Sequence, residues 1–348
     1  MRLLVITQKV DKEDPILSFF HNWIIELSKK IEKVSVICLG KGTFDLPQNV
    51  EVYSLGKEAG RSRIKYINNF LNLILGLHKE YDSVFVHMNQ EYILLGGFIW
   101  KILRKKVYFW RNHRYGNLLT GITVWLSNRV FCTSKFAFVA KYKKTEIMPV
   151  GIDTEKFKLG AESLEFKKKK NRILFLGRMS PIKRPDLLIE ALNILNKKNI
   201  DFVCDFYGDA SSGDEDYYNS LKNKVSELGL SGRVNFYSGV PNRETPKIYS
   251  EHEIFVNLTP SGSFDKTILE AAACGCVLVI ANKSLSGEID QRIIVKKETP
   301  DDIAESINFW LNTRGEEKIA VSNKLQKYVL EKHSLNVLIE KLCTKIKK

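Results

Sequence analysis

A length of 348 residues, 44% hydrophobic and 27% charged, is enough chain for two α/β cores and excludes a disordered or fibrous protein. The longest apolar stretch, residues 92–103, holds two glycines and Lys101 and is shorter than the roughly 20 residues of a membrane span. The net charge of +14 is uneven: residues 1–158 carry 25 Lys and Arg against 14 Asp and Glu (+11), and the rest 29 against 26 (+3), so the first half favours an anionic partner.

In chain order, short apolar runs alternate with helical periods. The first half predicts strands over residues 2–7, 34–39, 50–54, 83–87, 106–110, 129–132 and 146–148, with helices over 16–31, 64–79 and 91–103. Residues 151–171 lack a strand period and lead into the second half. There, strands are predicted at 172–176, 202–207, 234–237, 254–257, 277–280 and 292–295, and helices at 185–197, 216–228, 244–250, 266–273 and 300–313. Beyond Thr313 the chain reads as helical to its end. Strand–helix–strand repeats imply right-handed crossovers, a parallel sheet in each half, and ligands beyond the carboxyl ends of the strands. The opening residues read as a first strand and not as a signal peptide, which implies the cytoplasm. Cys38, Cys132, Cys204 and Cys276 lie in or beside apolar runs and read as small buried residues; Cys274 and Cys276 have no second pair at zinc spacing.

Two loops carry the chemistry of the second half. Gly177, Arg178 and Lys183 follow the strand at 172–176 and precede a helix opened by Pro185. Two cations beside a helix N-terminus make a cradle for a diphosphate, or else a solvated loop. After the strand at 254–257, the run Ser261-Gly-Ser-Phe-Asp265 opens a helix that carries Glu270 between Leu269 and Ala271. A carboxylate there needs a partner, either a ribose diol or a structural cation. The loop N–H groups near Ser263 and Phe264 suit a sugar or phosphate.

The ordered set Val150-Gly-Ile-Asp-Thr-Glu-Lys-Phe157, Gly177-Arg-x4-Lys-Arg-Pro185, Leu228-Gly-Leu-x-x-Arg-Val-x-Phe236 and Leu269-Glu-Ala-x-Ala-Cys-Gly275 resembles the GT4 family of retaining glycosyltransferases. The resemblance implies a GT-B fold, two Rossmann-like doubly wound domains facing a central cleft: 1–158 for the acceptor, a linker at 159–170, 171–330 for the nucleotide sugar, and a helix at 331–348 packing back on the first domain. It implies sugar transfer with retention, without metal or cofactor, from a nucleotide diphosphate sugar to a saccharide or lipid-linked acceptor of the cell envelope. Arg178 and Lys183 match the family's diphosphate-binding pair, and Glu270 the second glutamate of its Glu-x7-Glu motif. The first glutamate is replaced by Gly262, with Asp265 three residues later. His113 matches the family's active-site histidine in the first domain.

Further acceptor-side candidates are His87 and Arg111, which end or follow strands, and Asp11 and Asp14 in the first strand–helix loop. The two aspartates suit either an acceptor hydroxyl or the cap of the next helix. Aromatic and basic residues interleave through Tyr92, Phe98, Trp100, Lys101, Trp110 and Arg111, a pattern that suits peripheral contact with an anionic membrane. A sugar-nucleotide epimerase, a phosphorylase and a non-catalytic sugar-nucleotide binder are the alternatives. No nucleic-acid recognition module is present in the sequence, and none is expected to bind.

Overall fold

Leu3 and Val5 of β1 (Arg2–Val10) enter one core, and Leu4 and Ile6 another, as alternate residues of a strand covered on both faces must. The computed structural model describes residues 1–14, 16–60, 62–158, 169–262 and 264–347. Its first unit spans Met1–Gly151 and Leu335–Lys348. Here β1 is joined by β2 (Lys33–Lys41), β3 (Val50–Ser54), β4 (Ser83–His87), β5 (Lys106–Trp110), β6 (Arg129–Cys132) and β7 (Thr145–Ile147). The sheet has the order β3-β2-β1-β4-β5-β6-β7, and every pair is parallel.

Helix α1 (Ser18–Ser28) and the chain's last helix, α11 (Leu335–Lys347), cover one face through Phe20, Trp23, Leu338 and Leu342. Tyr108 Oη of β5 donates to the Ile346 carbonyl at 2.9 Å, and Lys345 pairs with Glu146 at 2.6 Å. The other face is covered by α2 (Arg63–Gly76), α3 (Glu91–Ile102) and α4 (Leu118–Leu126). Helix α4 lies outside the predicted elements. Asn117 starts it: its Oδ1 accepts from the Thr120 N–H, and Thr120 Oγ1 accepts from the Asn117 N–H, both at 3.2 Å.

The second unit, Ile152–Ser334, has five parallel strands in the order β10-β9-β8-β11-β12. They are β8 (Lys169–Leu176), β9 (Val203–Tyr207), β10 (Val234–Tyr237), β11 (His252–Asn257) and β12 (Val277–Ile280). Phe175, Phe206 and Phe236 stack across β8, β9 and β10 with successive ring centroids 5.2 Å apart. The helices are α5 (Pro185–Lys197), α6 (Glu215–Glu227), α7 (Thr245–Glu251), α8 (Lys266–Ala273), α9 (Pro300–Asn312) and α10 (Gly315–Tyr328). Each unit is thus an α/β, Rossmann-like doubly wound layer.

Three expectations change. Residues 292–295 are not a strand: Gln291–Ile293 form a 3-10 turn, and Ile294 makes a single bridge to Ile280, so the run is apolar because Ile293 and Val295 are buried. The helical tail breaks at Ser334, which is extended after a π-turn at Val329–His333. The unit boundaries fall at 151 and 334, not at 158 and 330. The Ile152 N–H donates to the His333 carbonyl at 2.8 Å, and Phe157 packs on Tyr249 with centroids 6.3 Å apart. Of the expected linker, residues 159–168 lie outside the described residues, and 169 and 170 begin β8. All six cysteines are buried, and no disulfide forms among the described residues. No helix among the described residues is long and apolar enough to cross a membrane.

Candidate functional site

In the second sheet the chain runs outward from β8 in one direction through β9 and β10, and in the other through β11 and β12. The two loops that leave β8 and β11 therefore face each other at the topological switch point, the place where open α/β sheets bind ligands. One loop carries Gly177, Arg178 and Lys183; the other carries Thr259 to Asp265.

Lys183 reaches across the switch point and donates to Asp265 Oδ2. The same oxygen accepts from Asn257 Nδ2 at 2.9 Å and from Thr259 Oγ1 at 3.3 Å, while Oδ1 caps α8 through the Thr267 N–H at 3.3 Å. Burial works to raise the Asp265 carboxyl, but the Lys183 ammonium and these donors hold it well below the usual carboxylate range. Arg178 is exposed and has no carboxylate partner among the described residues. Arg184 is left-handed, with φ 55°, pairs with Glu298, and supplies no side-chain cap to α5. The first N–H groups of α5 thus lie uncapped by a side chain beside Arg178 and Lys183, as an anion site requires.

Glu270 sits inside α8 and is 6% exposed. Tyr249 Oη, itself fully buried, donates to its Oε2 at 3.4 Å. Burial pushes the Glu270 carboxyl up; the charges of Lys266, one turn earlier, and of Lys156 act against that. Lys156 is half-buried and donates to Asn242 Oδ1 at 2.5 Å. Gly262, where the motif's first glutamate would stand, has φ 109°, a backbone conformation that disfavours any side chain. Phe264 is half-buried in the same loop, and Ser263 lies outside the described residues.

In the first sheet the order reverses at β1 and β4, and a cavity of about 740 Å³ lies at that switch point. Asp11, Asp14, Gly42 and Asn89 are among its walls. Lys9 Nζ bridges Asp11 and Asp14 at 2.9 Å each. Asp14 Oδ1 also accepts from the N–H groups of Ile16 and Leu17, at 2.9 and 2.8 Å, which fixes the entry to α1. Burial works to raise both carboxyls, but Lys9 and the backbone donors hold them below the ordinary range. A Cβ on Gly42 would lie 2.1 Å from Asp11 Oδ2, so this close approach needs glycine. Met88, also in the wall, has φ 73°, a strained value for a side-chain-bearing residue.

The remaining candidates separate. His113 is exposed beyond β5; the Tyr115 N–H donates to its Nδ1 at 3.0 Å, and Nε2 makes no hydrogen bond among the described residues. Arg111 is half-buried, donates to the Tyr115 carbonyl at 3.2 Å, and leaves Nε without a hydrogen bond. His87 is a correction: it is 2% exposed, stacks on Phe20 at 4.1 Å and lies 3.3 Å from Thr7 Oγ1, so its ring belongs to the core. Tyr92, Trp100 and Trp110 are also buried and leave the expected membrane-facing set.

Sequence reasoning missed Lys156, Tyr249 and Gly208. A Cβ on Gly208, whose φ is 147°, would lie 1.9 Å from the Gly177 carbonyl oxygen. The glycine therefore lets the end of β9 support the turn after β8. Its signal was a glycine directly after a strand; its neighbour could not be read without the strand order.

Residues 158–328 match the family model described as glycosyl transferases group 1. A D-inositol 3-phosphate glycosyltransferase of Mycobacteroides abscessus is 28% identical over 183 residues, 49% of this chain and 40% of that protein. Spore coat protein SA of Bacillus subtilis is 28% identical over 155 residues, 41% of this chain and 40% of that protein, so the chain spans about two fifths of the length of these relatives. Over 100% of both chains, the fold superposes on HepE of Anabaena solved with UDP, at a TM-score of 0.80 and 16% identity; the same protein is also solved with UDP-glucose. The chain thus has the GT-B fold, and its residues 158–328 belong to the glycosyl transferases group 1 family.

Proposed function

We propose that the protein transfers a sugar from a nucleotide diphosphate sugar to a hydroxyl of a saccharide or lipid-linked acceptor, with retention at the anomeric carbon and without a metal. The observation that carries this reading is the Lys183–Asp265 pair, which joins the loop of Arg178 to the start of α8, the helix of Glu270, at the switch point of the second sheet. Arg178 and Lys183 receive the diphosphate, with the first turn of α5 behind them, and stabilise the charge that grows on it as the sugar leaves. Glu270, held by Tyr249, accepts hydrogen bonds from the ribose diol. The acceptor occupies the cavity beside Asp11 and Asp14, whose carboxylates are fixed by Lys9 and orient its hydroxyls. The glycosyltransferase names of the relatives support the reaction class, and the HepE complexes support a nucleoside diphosphate donor.

Calorimetric titration with UDP, GDP and ADP, followed by a panel of their sugars, tests this. Arg178→Ala should weaken binding of whichever diphosphate the parent takes by about 10- to 100-fold, the scale of one charge-assisted hydrogen-bonded contact. Unchanged affinity in Arg178→Ala, or no nucleotide bound by the parent, would overturn the donor site.

A further inference from the structure

From Tyr92 to Thr145 the chain contains eleven Lys and Arg residues and not one Asp or Glu. These residues supply α3 after its first residue, Glu91, and all of β5, α4 and β6. Helix α3 is apolar all round except for Glu91 and Lys101. Its Tyr92, Ile93, Gly96 and Trp100 face the core, while Leu95, Phe98 and Ile102, at i, i+3 and i+7, face outward. Helix α4 repeats this: Thr120, Val124 and Leu126 are buried, and Leu118 and Trp125 stand exposed seven residues apart.

The two outward stripes are continuous. The Phe98 and Trp125 rings lie 6.1 Å apart, and Lys101 Nζ sits 4.0 Å over the Trp125 ring. Ile102 and Leu118 are each 81% exposed, more than any other large apolar side chain among the described residues. An apolar ridge inside a field of one sign calls for a surface that is both anionic and apolar.

We propose that α3 and α4 form a docking face for an anionic lipid bilayer, with Phe98, Ile102, Leu118 and Trp125 entering the interface and Lys101 engaging head-group phosphates. A nucleic acid would reward the cations but not two fully presented aliphatic side chains; a bilayer interface rewards both. The assignment is independent of the donor and acceptor readings, because none of these four apolar residues belongs to either site.

The test is sedimentation of the full chain with phosphatidylglycerol-containing and pure phosphatidylcholine vesicles, at low and high salt. The parent should bind only the anionic vesicles, and less as salt screens the charges. Ile102→Glu combined with Leu118→Glu should lower partition by about tenfold or more, from the loss of two inserted side chains. Both positions are exposed, so an unchanged thermal melt will show that the variant folds. Trp125 gives a direct readout: it is 57% exposed, whereas Trp23, Trp100, Trp110 and Trp310 are buried. Vesicles with brominated acyl chains should quench the parent's fluorescence, and Trp125→Phe should bind with that quenching removed. No binding to anionic vesicles at low salt, binding indifferent to the double substitution, or binding without acyl-chain quenching would overturn the proposal. So would tighter capture of a short DNA duplex than of the vesicles.

Discussion

Lys183 and Asp265, 82 positions apart in sequence, form an ion pair that closes the switch point of the second sheet. The pair holds the ammonium at the end of β8 before any ligand arrives and uses one of its three donors. The other two remain for a phosphate. Asp265 thus positions a binding group and also caps a helix, and substitution can separate the two roles.

Asp265→Ala removes the cap and leaves a half-buried lysine without its counter-ion; a loss on the order of 3 kcal/mol is expected. Asp265→Asn keeps the cap and should cost less. The carboxyl is held below its ordinary value, so its contribution is present in full above about pH 4 and fades as pH falls through the depressed value. Urea denaturation across pH should therefore show the parent's advantage over Asp265→Asn shrinking only in strong acid. A constant gap down to the lowest pH would contradict the ion pair.

Glu270 has the opposite sign. Its carboxyl is raised by burial, so between the ordinary and the raised value the folded chain holds a proton that the unfolded chain has lost. Stability should fall as pH rises through that window. Nucleoside diphosphate affinity should rise through it, because the ribose diol donates to the ionised form. Glu270→Gln should remove the pH dependence that the carboxyl adds, raise the melting temperature above neutral pH and weaken nucleotide binding. Paired melts and titrations of parent and variant at several pH values decide the matter.

Gly208→Ala should be among the most damaging small substitutions in the second unit. The added carbon meets the Gly177 carbonyl oxygen, which is backbone and has little room to yield. A loss on the order of 3 kcal/mol is expected, together with weaker nucleotide binding, since the turn carrying Arg178 must shift. A melting temperature within a degree or two of the parent's would refute that close approach.

Turnover is expected to survive chelation. Arg178, Lys183 and the first turn of α5 already place positive charge at the proposed diphosphate position. Product release measured with and without EDTA is the check. Complete loss in EDTA, restored by manganese, would reassign the neutralising charge to a cation.

Strands β4 and β5 were legible because both of their faces are buried, which leaves unbroken apolar runs. Helix α4 was not: Leu118 and Trp125 face outward while Val124 and Leu126 face inward, and that erases the period. The run at 292–295 misled for the converse reason, since burial makes a segment apolar whether or not it pairs as a strand. At the candidate site, Arg178, Lys183 and Glu270 could be named from strand ends and helix starts. That Asp265 would answer Lys183, or that Tyr249 would answer Glu270, depended on strand order, which no single loop encodes. Asp11 and Asp14 stood between two readings; Asp14 accepts from the Ile16 and Leu17 N–H groups and also stands in the cavity wall, so one residue can serve as both cap and wall.

The core of the first unit is completed by α11, whose Leu338, Ile339 and Leu342 pack beside Trp23 and Phe20. On the ribosome, residues 1–151 therefore emerge with one face of their sheet covered by α1 alone, and they wait for the entire second unit to be synthesised before Leu335 arrives. The second unit is continuous in sequence and can fold as it emerges. The first to be translated is thus the last to be sealed, and until then its apolar flank is a surface for chaperones or for misassembly.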